Sequence, residues 1–449
     1  MTDLTDTTAD LAARHHDAPI DGEMHDALAA GGLAVARVDD ADRTQTDRWL
    51  DAVARGFLDA EPSDAQREIL ATGGGYRRKI GVYDAAGVLA DTPVASFASW
   101  ITELTVPGGT LPACAISAVT VAPTHRRRGI LREVMAGELR IAAEFDVPIA
   151  ALTVSESTIY GRFGFAPAAH ATRWEIDTRR AGWVGPVAPG RVDFITREAG
   201  RDLTRALHDR VRLSTPGEIA LPPGHEDRFF GTRADAKKSD ELRVVQYRSV
   251  STDGASGEVD GLAVYRVREG EHDFAASTLD LAYLLAATDE AYAGLWRFLL
   301  QLDLIGTVRA SELAVDEPLW WMIADQRAAS ISVRDHQYLR ILDVPAALGA
   351  RRYDVADSVA FEVTDPLDLA AGTFVLLVDE SGEASVDLVD EPPLGIPLVR
   401  LGVADLSALL VGGVSAVTLA RAGRLETEDA DRIARLFQTT AAPRLSFWY

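Results

Sequence analysis

Residues Ser117–Arg132 read SAVTVAPTHRRRGILR, the stretch with the clearest chemical signal in the chain. A strand-like run ends at Val121, Pro123 breaks its ladder, and a basic turn opens a helix near Gly129. The first turn of a helix leaves backbone N–H groups unpaired and carries partial positive charge. Aimed at a diphosphate, such a turn forms an anion site. Gly129 lets a phosphate come close because no Cβ intervenes. Arg126, Arg127 and Arg128 add positive charge to an otherwise acidic chain. Three arginines alone read more simply as a solvated run at a helix start. Strand, proline, RRRG turn and amphipathic helix in succession favour phosphate binding. The spacing is not that of a P-loop, since no Gly-Lys-Ser/Thr follows, nor is it GxGxxG.

A second stretch, Thr153–Phe165, reads TVSESTIYGRFGF and lies one helix and one strand further on. Tyr160 is either a packing aromatic beside Phe163 and Phe165 or a phenol placed to trade a proton. The chain ends Ser446-Phe447-Trp448-Tyr449. Aromatic ends are usually packing anchors. Cys114 is the single cysteine, so no intramolecular disulfide forms, which fits a reducing compartment. It sits in a strand approach with no base assigned to it. The nine histidines are scattered and none falls in an HExxH pattern, which argues against a catalytic metal.

The 449 residues suggest about three domains at roughly 150 residues each. Apolar residues at 47% and charged residues at 25% are globular values and exclude disorder along the whole length. The 45 Lys and Arg against 68 Asp and Glu leave a formal charge of -23. Such a surface repels phosphate backbones, so a nucleic-acid partner is not expected. It draws in cations instead, including polyamines and aminated sugars. The polar start, Met1 to Asp21, lacks the apolar core of a secretory signal. No apolar run approaches the roughly 20 residues that span a bilayer. The expected location is cytoplasmic, with export by a route lacking a signal left open.

These residues need elements to hold them. Residues 1–35 read as a flexible leader. Arg48 to Leu58 carries helical spacing, with Asp47 as its cap. Arg78 to Tyr83, Val94 to Ile101 and Ala115 to Val121 read as strands, and Arg127 to Glu144 as a helix. Pro148 to Val154 is a buried strand, followed by a short helix at about Glu156 to Phe163. Strand, helix, strand in this order implies a mixed α/β sheet. A second α/β unit of similar layout runs from Val192 to about Asp325, and an α+β pattern follows from Ile331.

The basic turn resembles the coenzyme A pyrophosphate loop of GCN5-related N-acetyltransferases (GNATs), Arg/Gln-x-x-Gly-x-Gly/Ala. Arg126 and Gly129 match, and Leu131 replaces the small residue. The longer string VTVAPTHRRRGIL resembles the Eis (enhanced intracellular survival) branch, in which a leucine there is tolerated. Tyr160, Gly164 and Phe165 match the Tyr-x-x-x-Gly-Phe end of the acetyltransferase core. RILDVPAALGA, Arg340 to Ala350, resembles the start of a sterol-carrier-like domain. The likeness runs from about Ala54 to Tyr449.

It implies an α/β and α+β multidomain chain: a catalytic GNAT domain at 36–185, a degenerate second one at 186–327, and a sterol-carrier-like domain at 328–449. It implies an acetyl-CoA cosubstrate and no metal. Val119, Thr120 and Val121 would face the pantetheine and thioester. Arg126, Arg127, Arg128, Gly129, Ile130, Leu131 and Arg132 would hold the diphosphate, and Ser155 and Glu156 would add coenzyme contacts. Tyr160 would act as general acid and the terminal carboxylate of Tyr449 as base. The penultimate position is commonly acidic in the family; here it is Trp448. Asp59, in a FLDAEP segment, is a candidate contact for a cationic substrate, or else a surface residue or cap. Ala118 stands where relatives can carry an aromatic, implying a large pocket. Aminoglycoside or polyamine acceptors modified at more than one amine, and a homohexamer, are implied in the same way. Two rival readings stand beside this one. The chain could be a lipid-binding or partner-binding protein on a GNAT scaffold, or an acetyltransferase of protein lysines or N-terminal amines.

Overall fold

The computed structural model describes residues 4–250, 256–270 and 276–449. The chain forms two units, one of Met1–Ala169, Gln337–Thr440 and Tyr449, the other of His170–His336 and Ala441–Trp448. Both are mixed α/β, and the first also carries the α+β part.

In the first unit, strands β1 (Ala34–Arg37), β2 (Arg78–Tyr83), β3 (Ala95–Val106) and β4 (Gly109–Val121) form an antiparallel meander. β5 (Ile149–Thr153) then joins β4 in parallel, and Gln337–Ile341 pairs antiparallel with β5. Helix α5 (Ile130–Glu144) makes the crossover that a parallel pair requires. β4 and β5 pair only from Ala113↔Ile149 to Ile116↔Leu152, while β4 continues to Val121. Beyond Ile116 that edge of β4 has no partner in β5.

Strand alternation sorts the side chains between two faces. Phe97, Ile101, Cys114, Ile116, Ala150 and Leu152 pack with Ile130, Val134, Met135 and Leu139 of α5. Ala98 packs on the opposite face with Trp49 of α3 (Arg43–Phe57), joined by Ala118 and by Leu70 of α4 (Asp64–Gly73).

The expected flexible leader is instead largely helical. It holds α1 (Leu4–Asp17), whose Leu11 and Ala12 pack against the α5 face of the core, and α2 (Gly22–Ala30), whose Met24 and Leu28 are buried in it. The cause is long-range. Fully buried Arg78 binds Glu138 at 2.9 Å and donates to the carbonyls of Ala18 and Pro19 at 2.5 and 3.0 Å. Arg140 pairs with Asp21 at 2.5 Å. α3 likewise starts earlier than its apolar spacing implied, because Asp42, not Asp47, accepts from the N–H groups of Thr44 and Gln45.

The α+β part has a five-stranded sheet ordered Ala384–Val389, Gly372–Val378, Asp357–Thr364, Leu398–Gly402, Leu425–Glu426. A fully buried pair, Arg340 with Asp365 at 2.6 Å, ties it to Phe163, whose carbonyl accepts from Arg340 Nε at 3.1 Å.

The second unit repeats the first unit's plan. An antiparallel meander, Arg191–Ile195, Leu242–Val250, Ser256–Arg268 and Ser277–Ala286, is followed by the helix Asp289–Leu300. The strand Ile305–Leu313 then pairs in parallel with Ser277–Asp280. The unit's last segment is held through Arg444 N–H to Pro216 O at 2.8 Å and by Phe447, which packs against His208 and His225. Trp448 lies edge-on to His336 at 4.9 Å, with Arg334 over its ring.

Candidate acyl-transfer site

The candidate coenzyme, catalytic and acceptor residues named from the sequence all fall in the first unit. The register between β3 and β4 shifts between Ser96 and Ala98, so that Ser96 opposes Thr120 while Ala98 opposes Ser117. The extra residue makes a bulge, with Ala118 at φ 51°. Ser96 Oγ fixes the bulge by bonding Ala118 O at 2.9 Å and Thr120 Oγ1 at 2.7 Å. α3 comes close here as well. A Cβ on Gly56 would lie 2.3 Å from Thr120 Cβ, so only glycine permits this approach. Sequence reasoning missed Gly56 and Ser96, since neither carries a motif.

After β4 the chain makes a short 3-10 turn, Pro123–His125. Arg127 has φ 65° and Gly129 φ 81°, both left-handed, and Gly129 caps α5 with no side-chain hydrogen bond. Among the described residues no side chain caps the first turn of α5, which leaves its N–H groups available in the way an anion site requires. The equivalent helix of the second unit differs. Thr288 caps Asp289–Leu300 by accepting from Ala291 N–H, and Asp289 and Glu290 fill its first turn. Those two carboxylates make that helix start unfavourable for an anion.

Arg126, Arg127, Arg128 and Arg132 are exposed, Gly129 and Leu131 half-buried, and Ile130 buried. Arg128 and His125 both reach Asp84, at 3.7 and 3.0 Å, and Arg132 pairs with Glu133 at 2.6 Å. The guanidinium of Arg126 reaches back to Val121 O at 3.4 Å. Val119 and Val121 are half-buried and Thr120 buried. A small apolar cleft lined by Thr120, Val121, Ile130 and Leu131 lies between β4 and α5. Its lining joins the bulge to the helix start.

Ser155 and Glu156 are exposed just past β5. The expected helix at Glu156 to Phe163 is only a 3-10 turn, Tyr160–Phe163, ended by Gly164 at φ 86°. A Cβ on Gly164 would lie 2.8 Å from Val403 Cγ1, so this left-handed turn end needs glycine. Tyr160 is buried against Phe165, ring centroids 6.2 Å apart. Burial, helped by Glu156, pushes its phenol up to about 12, so it stays protonated across the neutral range.

Tyr449 lies on the sheet face opposite α5. Its main-chain oxygen accepts from Thr153 Oγ1 at 3.3 Å, and its ring meets Trp100 edge-on at 5.3 Å. Its phenol is pushed far up by burial. Gln337, opposite Thr153 in the sheet, stands beside that phenol. Cys114 points to the other face. Burial, then Glu138, pushes its thiol up to about 12, which makes it inert as a nucleophile. Asp59 is exposed just beyond α3, its N–H bonded to Ala54 O at 2.8 Å. Among the described residues no cluster of three or more His, Cys, Asp or Glu could hold a metal, and no helix is long and apolar enough to cross a membrane.

A bulged strand that parts from its parallel neighbour, followed by an uncapped helix start, defines a GNAT-type acetyltransferase site. Comparison with known proteins agrees. Models of the acetyltransferase (GNAT) domain match residues 37–168 and 226–341, and one of the sterol carrier protein domain matches 344–446. An uncharacterized N-acetyltransferase of Streptomyces avermitilis is 36% identical over 429 residues, 91% of this chain and 99% of that one. N-acetyltransferase Eis of Mycobacterium tuberculosis is 33% identical over 392 residues, 85% of this chain and 90% of its own. The crystal structure of Eis1 from Mycobacterium abscessus superposes with a TM-score of 0.76 at 27% identity, covering 93% of this chain and all of that one. The chain belongs to the Eis-like N-acetyltransferases of the GNAT superfamily.

Proposed function

We propose that the protein transfers acetyl from acetyl-CoA to primary amines of a polycationic acceptor, of aminoglycoside or polyamine type, at more than one amine. The observation that carries the reading is the contact of Tyr449's main-chain oxygen with Thr153, at the end of the strand that leads to Tyr160. The backbone N–H groups after Gly129, with Arg126, Arg127, Arg128 and Arg132, hold the diphosphate. The bulge at Ala118 to Thr120 presents main-chain groups to the thioester.

The acceptor nitrogen attacks the thioester carbonyl, forming the C–N bond as the C–S bond breaks. The terminal carboxylate of Tyr449 takes the proton from nitrogen, directly or through water. An α-carboxyl titrates near 3.5 and is a weak base, so its larger part is to fix the incoming ammonium. Tyr160 gives its proton to the departing thiolate. Its raised pKa suits a group that must arrive protonated. Asp59 and the space beside Ala118 receive the rest of the acceptor. The charge of -23 supports steering of a cation, with rates that fall as salt rises.

A homohexamer and a cytoplasmic location belong to the same proposal, with no nucleic-acid or membrane partner. Mass spectrometry of an amine panel incubated with acetyl-CoA tests it. Products gaining one or more acetyl groups are expected. Binding of acetyl-CoA without transfer to any amine would favour the scaffold reading, and preference for a lysine peptide would favour protein acetylation.

A further inference from the structure

Three consecutive basic residues run into β2: Arg77 just before it, then Arg78 and Lys79. Two are buried and neutralised, Arg78 by Glu138 and Lys79 by Asp40. Arg77 differs. It is half-buried and makes no ion pair among the described residues. Its guanidinium lies over two aromatic rings, 5.1 Å from the centroid of Tyr76 and 5.3 Å from that of Trp100, and its Nε donates to Tyr76 Oη at 2.8 Å. Stacking of this kind holds the charge in place without cancelling it.

Trp100 is the ring that Tyr449 packs against, at 5.3 Å. It stands opposite Ala115 in β4, two positions along β3 from Ala98, which opposes Ser117 at the edge of the bulge. Its own indole N–H is buried and has no hydrogen-bond partner among the described residues. A fixed, unneutralised cation thus stands one aromatic ring away from Tyr449.

We infer that Arg77 is a specificity-determining residue: it repels a second ammonium group near Trp100 and so decides which amine of a multi-amine acceptor reaches Tyr449. The inference rests on the proposed amine transfer and refines it. The acidic surface gathers polycations, while Arg77 admits the amine whose neighbouring charges lie farthest from the Trp100 wall. Closely spaced diamines should then be poorer acceptors than monoamines or long diamines of equal reach.

The test uses the full chain and compares kcat/KM for butylamine and putrescine in the wild type, Arg77→Lys, Arg77→Gln and Arg77→Glu. The putrescine-to-butylamine ratio is expected to stay unchanged in Arg77→Lys. It should rise about tenfold in Arg77→Gln, as a like-charge repulsion at this range is removed, and further in Arg77→Glu. A ratio constant within twofold across all four proteins would overturn the inference. The wild type alone gives a second test, independent of whether the variants fold. Across α,ω-diamines of growing spacer, kcat/KM should climb toward the monoamine value, and a flat series would overturn the inference. Failure to acetylate any amine, butylamine included, would instead sink the transfer reading and this inference with it.

Discussion

The hydroxyl of Thr153 donates to a main-chain oxygen of Tyr449 at 3.3 Å, joining the end of β5 to the last residue of the chain across 296 positions. Trp100 supports the Tyr449 ring from β3, so two strands of one sheet hold Tyr449, whose carboxylate is the base in the proposed mechanism. A carboxylate held by a sheet is better placed than one on a free tail, because its orientation is settled before substrate arrives.

Tyr160→Phe removes the proposed general acid and leaves the buried ring. Turnover should fall about a hundredfold, with KM for acetyl-CoA little changed. In the wild type the phenol is held up to about 12, so no alkaline fall in rate with a midpoint near 10 should trace to this group. A pH–rate profile whose limb near pH 10 vanishes in Tyr160→Phe would contradict the placement of Tyr160.

Two glycines near the site should respond differently to alanine. Gly129 has open space around a new Cβ, nearest Arg132 Nη2 at 3.6 Å, but φ is 81°. Gly129→Ala should therefore cost about 1–2 kcal/mol of backbone strain and weaken acetyl-CoA binding. Gly56→Ala meets Thr120 at 2.3 Å, forces α3 off the bulge, and should cost ~1–3 kcal/mol by overpacking. Thermal melts with calorimetric titration of coenzyme separate the two. Equal coenzyme affinity in Gly129→Ala and the wild type would remove the helix start from the account.

His15 makes the docking of α1 acid-sensitive. It is buried 3.9 Å from Cys114 Sγ, and burial, then Arg78 and His16, lowers its pKa from 6.5 to about 3. Because the folded value is depressed, the neutral ring's contribution is complete above about pH 6.5 and is lost as pH falls toward 3. Hydrogen-exchange protection over Leu4–Ala30, taken relative to the intrinsic amide rate at each pH, should fall through that window, and His15→Leu should flatten the acid slope. An unchanged slope in the variant would show that another group controls it.

Much of this was legible in the sequence, and what was not has a physical reason. The β4–α5 segment was readable because its periodicity and turn chemistry are local: Ile130, Val134 and Leu139 mark one helix face and Gly129 its start. α1 and α2 were not, because they are held by partners 60 and 119 residues away, Arg78 on Ala18 and Arg140 on Asp21. Tyr160 was visible through its spacing from Gly164 and Phe165. Gly56, Ser96 and the Tyr76–Arg77–Trp100 cluster were invisible, since their meaning lies in packing across strands and helices that no short motif encodes.

The most direct measurement adds one glycine after Tyr449, which keeps the aromatic ring and moves the carboxylate away from Thr153. Calorimetry should find acetyl-CoA binding unaltered, while single-turnover acetyl transfer to an amine falls at least about a hundredfold, within the range expected for losing a positioned acid–base group. Transfer at the wild-type rate by the extended chain would contradict the account.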